Sequence, residues 1–366
     1  MLKANIIELE NALPTSYDKS QGIFACGEDN YYYQRIKKTI NNSTTAKGCV
    51  RLMKSYVGGK GFENNDFTLN NLGDTPNKLL SKIVNPIPYF EGFAVHVSYN
   101  VLGQKTAFKV IPFEWVRWGK KDDNGFKPFV KVSKDWADVK KNKPTEYNIY
   151  NPDAVLSQIS NAGGIDKYKG QIMYVSLDYD EIYSMGFVGS CLNDAIAEYK
   201  SSVYKKNLIT RGFLDKTVVT TKPFEKDSER QAFVKTIEDG LGADGVEGVI
   251  HLEAELENDD LSKEILFDKV GTNVNDKLFE YTDGKSEDQI RKAFLSPHPA
   301  LINNSDSSIF GNSGELIRQI KIDYQEKTEY IRLFIEENVK DLFHNTLNPS
   351  FNQVEFKIRP LIDVNQ

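Results

Sequence analysis

The chain has 366 residues, 40% of them hydrophobic and 27% charged, with a formal net charge of -6. That length sets an expectation of about two or three domains, and the composition excludes disorder throughout. The acidic balance argues against a nonspecific nucleic-acid coat, which depends on lysine and arginine neutralising phosphates, but it is compatible with DNA passing nearby.

No run of roughly 18 apolar residues occurs, so no membrane span and no membrane partner are expected. The start, Met1 to Asn5, has neither a long apolar core nor a small-residue cleavage site, which argues against secretion. Cys26, Cys49 and Cys191 are odd in number and far apart. That pattern fits buried, reduced thiols in a cytosolic compartment rather than a disulfide frame.

Taken in order, residues 1–45 are polar with an aromatic cluster at Tyr31, Tyr32 and Tyr33, and read as a loosely structured arm or, equally, as a surface helix with ordinary tyrosines. Val50, Met53, Tyr56 and Val57 have helical spacing, closed by Gly58, Gly59, Lys60 and Gly61. That glycine run is no phosphate loop, because Lys60 is followed by glycine where serine or threonine is required. Asn77 to Val84 predicts a second helix, ended by Pro86 and Pro88.

A strand follows, with Phe93, Val95, Val97 and Tyr99 alternating against Ala94, His96 and Ser98. Asn100 to Gly103 supplies a turn and Lys105 to Ile111 returns, while Asp122 to Gly125 signals another hairpin before Phe129 to Val132. The region from Phe90 to Leu177 is therefore expected to be mostly antiparallel strands. Between Gly186 and Arg211 the period changes to about 3.6, with Leu192, Ala195, Ile196, Tyr199 and Val203 on one stripe and Gly212 as the stop.

A strand-helix-strand unit follows: Thr217 to Thr221, a helix from about Lys226 to Asp239, and Gly248 to Glu253. Its Gly240, Gly242 and Gly245 match GxGxxG, but they follow a helix and precede a strand, the reverse of a dinucleotide fingerprint. Asp276 to Tyr281 adds a turn or two ahead of a helix that starts at Ser286, where Gln289 completes a capping box; Gly284 is a weak point. Ile290, Ala293 and Phe294 form its apolar face, and Pro297 and Pro299 end it.

Asn303, Asn304, Ser305, Asp306, Ser307 and Ser308 have too little apolar surface to pack and read as a mobile loop. Asn312 with Glu315 then starts one long helix to Phe343, carrying Leu316, Ile320, Tyr324, Ile331, Phe334, Ile335, Val339, Leu342 and Phe343. From Gly314 it would span about 45 Å. A strand, Val354 to Ile358, closes the pattern.

No catalytic centre is apparent. His96, His251, His298 and His344 are scattered without metal-ligand spacing, and no nucleophile elbow or local cysteine-histidine pattern occurs. Asp178, Asp180 and Glu181 form the tightest carboxylate cluster and have the oxygen chemistry to hold a divalent ion, although a solvated cluster at a strand end accounts for them too. A metal-dependent nucleic-acid enzyme using these three is the reading this cluster would support.

The order of parts from about Asn77 to Phe343 resembles the portal proteins of tailed bacteriophages, specifically the shorter portals. The resemblance rests on Glu91 to Val97 before an asparagine and glycine turn, Val110 to Val116, and Lys206 to Phe213 ahead of a small α/β insertion. Gln289 to Pro297 is similar to the family's helix ending at a valine-proline pair, and Gly311, Asn312 and Ser313 precede the last helix. The proline element here is Ser296-Pro297-His298-Pro299, a departure from two adjacent prolines.

The resemblance implies an α+β portal fold, with a strand-rich wing, two stem helices, a small α/β clip and a long C-terminal helix. Residues 1–185 would form the arm and wing, 186–211 and 269–296 the stem helices, and 212–268 the clip. Residues 297–312 would form the tunnel loop, with Asn303 to Ser308 facing DNA and Pro297, Pro299 and Gly311 as hinges. Residues 313–366 would form the wing or crown helix and final strand, leaving little for a crown.

The implied protein is a non-enzymatic ring, commonly of twelve subunits, at one capsid vertex. Double-stranded DNA would pass through it without sequence recognition. Its implied partners are the terminase large subunit, head-completion or adaptor proteins and the major capsid protein, with no cofactor. Its location would be the virion, after assembly in the host cytoplasm. Another structural phage protein, a connector or baseplate component, is the alternative.

Overall fold

The computed structural model describes residues 15–69, 73–122, 125–178, 182–210, 216–221, 223–224, 226–241, 249–253, 265–270, 276–302, 314–347 and 355–363. The chain divides into two units, one of Met1–Ala195 with Glu287–Gln366 and the other of Ile196–Ser286.

The first unit begins with an antiparallel pair of two-residue strands, β1 (Tyr17–Asp18) and β2 (Ile23–Phe24). Helices α1 (Tyr32–Asn42) and α2 (Thr44–Gly58) follow. The expectation of a loose arm over residues 1–45 is corrected from residue 15 onward, and the alternative of a surface helix is correct as to helix but not as to surface. Tyr33, Ile36 and Ile40 fall on one helical face and are fully buried. The Tyr33 ring lies 4.7 Å from Phe90 and 5.7 Å from Phe113, and its hydroxyl donates to the Ser184 carbonyl at 3.1 Å. A tyrosine triplet looks like surface in sequence, yet every third or fourth residue here is apolar enough to make a core face.

Ser43 separates the two helices and caps α2, its Oγ accepting from the Ala46 amide at 3.0 Å. Helix α3 (Pro76–Val84) has Pro76 in its first turn and Thr75 as cap, and α4 (Ile87–Phe90) follows at once. The glycine run after α2 has a packing explanation: a Cβ on Gly59, whose φ is +53°, would sit 2.1 Å from the Arg359 carbonyl oxygen.

A six-stranded sheet has the order β4-β3-β8-β7-β6-β5. Its strands are β3 (Gly92–Tyr99), β4 (Lys105–Ile111), β5 (Val116–Trp118), β6 (Phe129–Val132), β7 (Thr145–Ile149) and β8 (Gln171–Ser176). All neighbours run antiparallel except β7 and β8. A parallel pair needs a crossover, and helix α5 (Val155–Ala162) lies within it. On β3, Phe93, Ala94 and Val95 are all fully buried, so both faces of the sheet are covered there. His96 is held by the Lys169 carbonyl at 2.6 Å and rests edge-on against Tyr147, which makes it a structural histidine.

Helix α6 (Leu192–Thr210) leads into the second unit. There β9 (Lys216–Thr221), α7 (Asp227–Leu241) and β10 (Val249–Glu253) form the expected strand-helix-strand unit with the two strands parallel. A third strand, β11 (Ile265–Val270), pairs antiparallel with β9. The sequence pattern does not announce it, because three apolar residues are followed by Asp268 and Lys269 without a two-residue period. Gly240 lies in the last turn of α7; Gly242 and Gly245 lie outside the described residues.

Helix α8 (Asp276–Ala293) runs without interruption past Gly284 and Ser286, so the expected helix start at Ser286 is corrected. Ser286 is buried in mid-helix, where preceding carbonyls already serve the amides that a capping box would satisfy.

The single long helix expected from Gly314 to Phe343 is also corrected: it is two, α9 (Gly314–Lys327) and α10 (Glu329–Phe343). Helix α10 buries Ile331, Ile335, Val339, Leu342 and Phe343, and its Phe334 meets Phe93 of the sheet edge-on at 6.2 Å. At its C-terminal end the buried Lys105 donates to the Asp341 carbonyl at 2.8 Å and to the Tyr150 hydroxyl, a favourable place for a cation.

The expected closing strand Val354 to Ile358 is reduced, from residue 355 on, to a single bridge between Ile358 and Phe62. Phe356 anchors it by stacking on Phe343 at 4.4 Å.

Candidate functional site

The feature that the sequence singles out is the break after α8. Ile290 and Phe294 are fully buried. The helix ends in a Schellman arrangement in which the Ser296 amide donates to the Arg291 carbonyl at 2.9 Å. This motif needs a left-handed residue, usually glycine, yet Leu295 supplies it with φ +65° and Ser296 follows with φ +50°. Two non-glycine residues in that region store strain, and surrounding contacts must hold them.

Those contacts are visible. The Phe294 carbonyl accepts from the Tyr324 hydroxyl of α9 at 3.1 Å. Tyr324 is fully buried and packs edge-on against Tyr56 of α2 at 5.0 Å; burial pushes its phenol far above the usual range. Pro297 is buried. His298 caps a 3-10 turn over Pro299–Leu301, its Nδ1 accepting from the Ala300 amide at 3.2 Å. Ile302 then sits so close to α2 that a Cβ on Gly48 would meet its Cγ2 at 2.9 Å.

The far side of the break has its own lock at Thr328, between α9 and α10. The Thr328 hydroxyl donates to the Tyr324 and Gln325 carbonyls, both at 3.1 Å. The Arg332 guanidinium donates to Thr328 Oγ1, to the Tyr56 carbonyl at 3.2 Å and to the Gln325 carbonyl at 3.0 Å. Back-bonding by a threonine bends a helix, and an arginine that takes the freed carbonyls makes the bend permanent. Gln325 completes the knot by a two-way exchange with the backbone of Ile362. Beside the break, Ser296, His298, Gln319, Ile320, Asp323 and Lys327 line an open cleft of about 440 Å³.

Of the expected site residues, Pro297 and Pro299 are thus placed in a braced turn. Asn303, Asn304, Ser305, Asp306, Ser307, Ser308 and Gly311 lie outside the described residues, as do Asp180 and Glu181. Asp178 is described; its amide donates to Ser176 Oγ at 3.3 Å. Among the described residues no group of three or more histidine, cysteine or carboxylate side chains is placed to hold a metal ion, and no helix is long and apolar enough to cross a membrane.

The residues that sequence reading missed are Thr328, Arg332 and Gln325. A signal was present: the apolar stripe jumps from Tyr324 to Ile331, and Lys327 and Thr328 stand where helical spacing calls for an apolar residue.

No protein-family model matches the chain, and no curated protein matches it in sequence. Its fold is similar to that of solved chains from gene transfer agent (GTA) particles. A chain in the virion of a native GTA particle matches at 11% identity with a TM-score of 0.54, over 92% of this chain and 84% of that one. A chain in the neck of an empty particle computed with C6 symmetry matches at 10% identity and 0.55, over 92% and 85%. One in the neck of a native particle computed with C12 symmetry matches at 11% and 0.55, over 92% and 84%. At such identity the likeness establishes a shared α+β fold.

Proposed function

We propose that the chain is a portal subunit: a non-enzymatic component of a closed ring at one capsid vertex of a phage-like virion. The ring is the channel for packaging and ejecting DNA. The observation that carries this reading is the fold likeness, over 92% of the chain, to neck chains of a particle computed with C12 symmetry.

On this reading residues 1–185 are arm and wing, 186–211 and 269–296 stem, 212–268 clip, 297–312 the tunnel loop, and 313–366 the closing helices. Asn303 to Ser308 touch passing DNA, and the braced turn at Pro297 and Pro299 fixes where the loop departs. An acidic subunit with a short polar loop suits a conduit, since phosphate-binding arginine clusters would hold a polyanion that must slide.

Ring closure requires head-to-tail contacts between unlike surfaces. Helix α6 supports this, because Tyr199, Val203 and Tyr204 are 42%, 37% and 39% exposed in the single chain. A neighbouring copy would cover them. Twelve subunits, docking of the terminase large subunit and of head-completion proteins on the clip, contact with the major capsid protein, and assembly in the host cytoplasm complete the proposal.

Electron microscopy of the purified protein tests it: closed rings are expected, and a protein that stays monomeric at every concentration overturns it. Deleting Asn303 to Ser308 is expected to leave rings intact and to impair DNA packaging or retention; loss of the rings would remove the loop from its proposed role. A second reading, another connector of the head-tail neck, is favoured by the neck origin of two of the matched chains. Labelling the protein in particles separates the two, the capsid vertex indicating the portal.

A further inference from the structure

A second concave site lies in the first unit, away from the helix break. It is a cleft of about 430 Å³ whose lining includes Lys37 of α1, Lys54 of α2, Lys82 and Asn85 at the end of α3, Tyr89 of α4, and Glu114. Its lining also includes the apolar Pro86, Val110 and Pro112. The charges do not balance. Glu114 is bonded to Lys37, and Lys82 reaches Asp74 at 3.4 Å. Lys54 is half-buried, its ammonium held by the neutral Asn85 carbonyl oxygen and lying 5.0 Å above the Tyr89 ring.

Burial, and then the neighbouring Lys37, push the Lys54 ammonium down to about 8. Arg51 of α2 adds positive charge beside Tyr89. The titratable groups lining the cleft around Lys54 are therefore Lys37 and Lys82 as cations, Tyr89, and Glu114 as the one carboxylate among the described lining residues, already engaged by Lys37. A desolvated cation without a counter-charge is costly, and an incoming anion relieves it.

We propose that this cleft docks an acidic peptide segment, whose carboxylates bind Lys54 and Lys37 while its aliphatic carbons lie on Pro86, Val110 and Pro112. Two features favour a peptide over nucleic acid: the volume is that of a side-chain or small-ligand pocket, and the lining prolines and Val110 offer apolar contact that a phosphate does not use. The proposal stands apart from the ring reading and does not depend on it.

The test is fluorescence anisotropy of a short labelled peptide of alternating glutamate and leucine with the full chain. Lys54→Met, which keeps the apolar stem, should weaken binding about tenfold, the scale of one charge-assisted contact. Lys37→Met should weaken it less, and the exposed Lys167→Met should leave it unchanged; thermal melting of each variant checks that the fold is kept. Binding should tighten as pH falls from about 9 to about 7, because Lys54 gains its proton across that window. Equal binding by Lys54→Met and the parent chain overturns the proposal, as does a flat pH profile. Displacement by a single-stranded oligonucleotide or inorganic phosphate at concentrations where acetate has no effect also overturns it, and identifies a phosphate site.

Discussion

The Tyr324 hydroxyl donates to the Phe294 carbonyl at 3.1 Å, and both side chains are fully buried. Phe294 directly follows the last residue of α8 and Tyr324 belongs to α9, so this one bond ties together the two helices that flank the proline turn. The carbonyl would otherwise be an orphan of the helix end. Tyr324→Phe keeps the ring and removes the donor. It should cost about 1–2 kcal/mol and lower the melting temperature by about 2–4 °C in calorimetry.

Arg332 has the larger stake at Thr328. Arg332→Met fills similar volume but leaves the Tyr56 carbonyl without its donor and the Gln325 carbonyl with only the shared Thr328 hydroxyl, at a cost of about 3 kcal/mol. Arg332→Lys should recover only part of this, because an ammonium cannot span the three acceptors that the planar fork reaches. Urea titration of the three proteins measures the ranking; equal stability of Lys and Arg at 332 would show that charge alone, and not the fork, makes the knot.

Lys105 predicts a pH dependence. Desolvation pushes its ammonium down to about 8, with the Asp341 charge working the other way, against about 10.4 for an unfolded lysine. Between those values the unfolded chain holds the extra proton, so this group makes stability rise with pH from about 8 to about 10.4. Below about 8 both states are protonated and its cost is constant. Lys105→Met should remove that rise from the stability profile relative to the parent chain. Near neutral pH it should change stability by less than about 1.5 kcal/mol, because the Tyr150 hydroxyl still donates to the Asp341 carbonyl at 3.2 Å.

Ser296 is exposed and holds φ +50° in front of a proline. Ser296→Gly relieves the left-handed strain and should stabilise by about 0.5–1 kcal/mol, while the β-branched Ser296→Val should destabilise by at least as much. Thermal melts of the pair read out opposite signs; a shared sign would mean that the turn relaxes on substitution.

Local patterning carried much of the fold. Helix α2, helix α3, the β3-β4 hairpin and the β9-α7-β10 unit follow from period, turn residues and caps, all of which act over a few neighbours. What stayed hidden depends on distant partners. Tyr33 became core because Phe90, Phe113 and Ser184 meet it, and the bend at Thr328 needs Tyr56 from nearly the other end of the chain. The parallel pairing of β7 with β8 is likewise a choice of partner, not of strand. At the candidate site the prolines mark the break, but the left-handed Leu295 and Ser296 carry no glycine to announce them.

The three cysteines, Cys26, Cys49 and Cys191, lie in separate parts of the first unit and are each at most 1% exposed. Burial pushes the thiols of Cys26 and Cys191 up to about 11 and about 12, so little thiolate exists at neutral pH. The native chain should therefore be inert to alkylating reagents, and each thiol becomes reactive only when its own neighbourhood opens. That gives the protein three internal clocks: mass spectrometry of alkylation at each cysteine would time the opening of the hairpin, of α2 and of the entry to α6 without introducing any label.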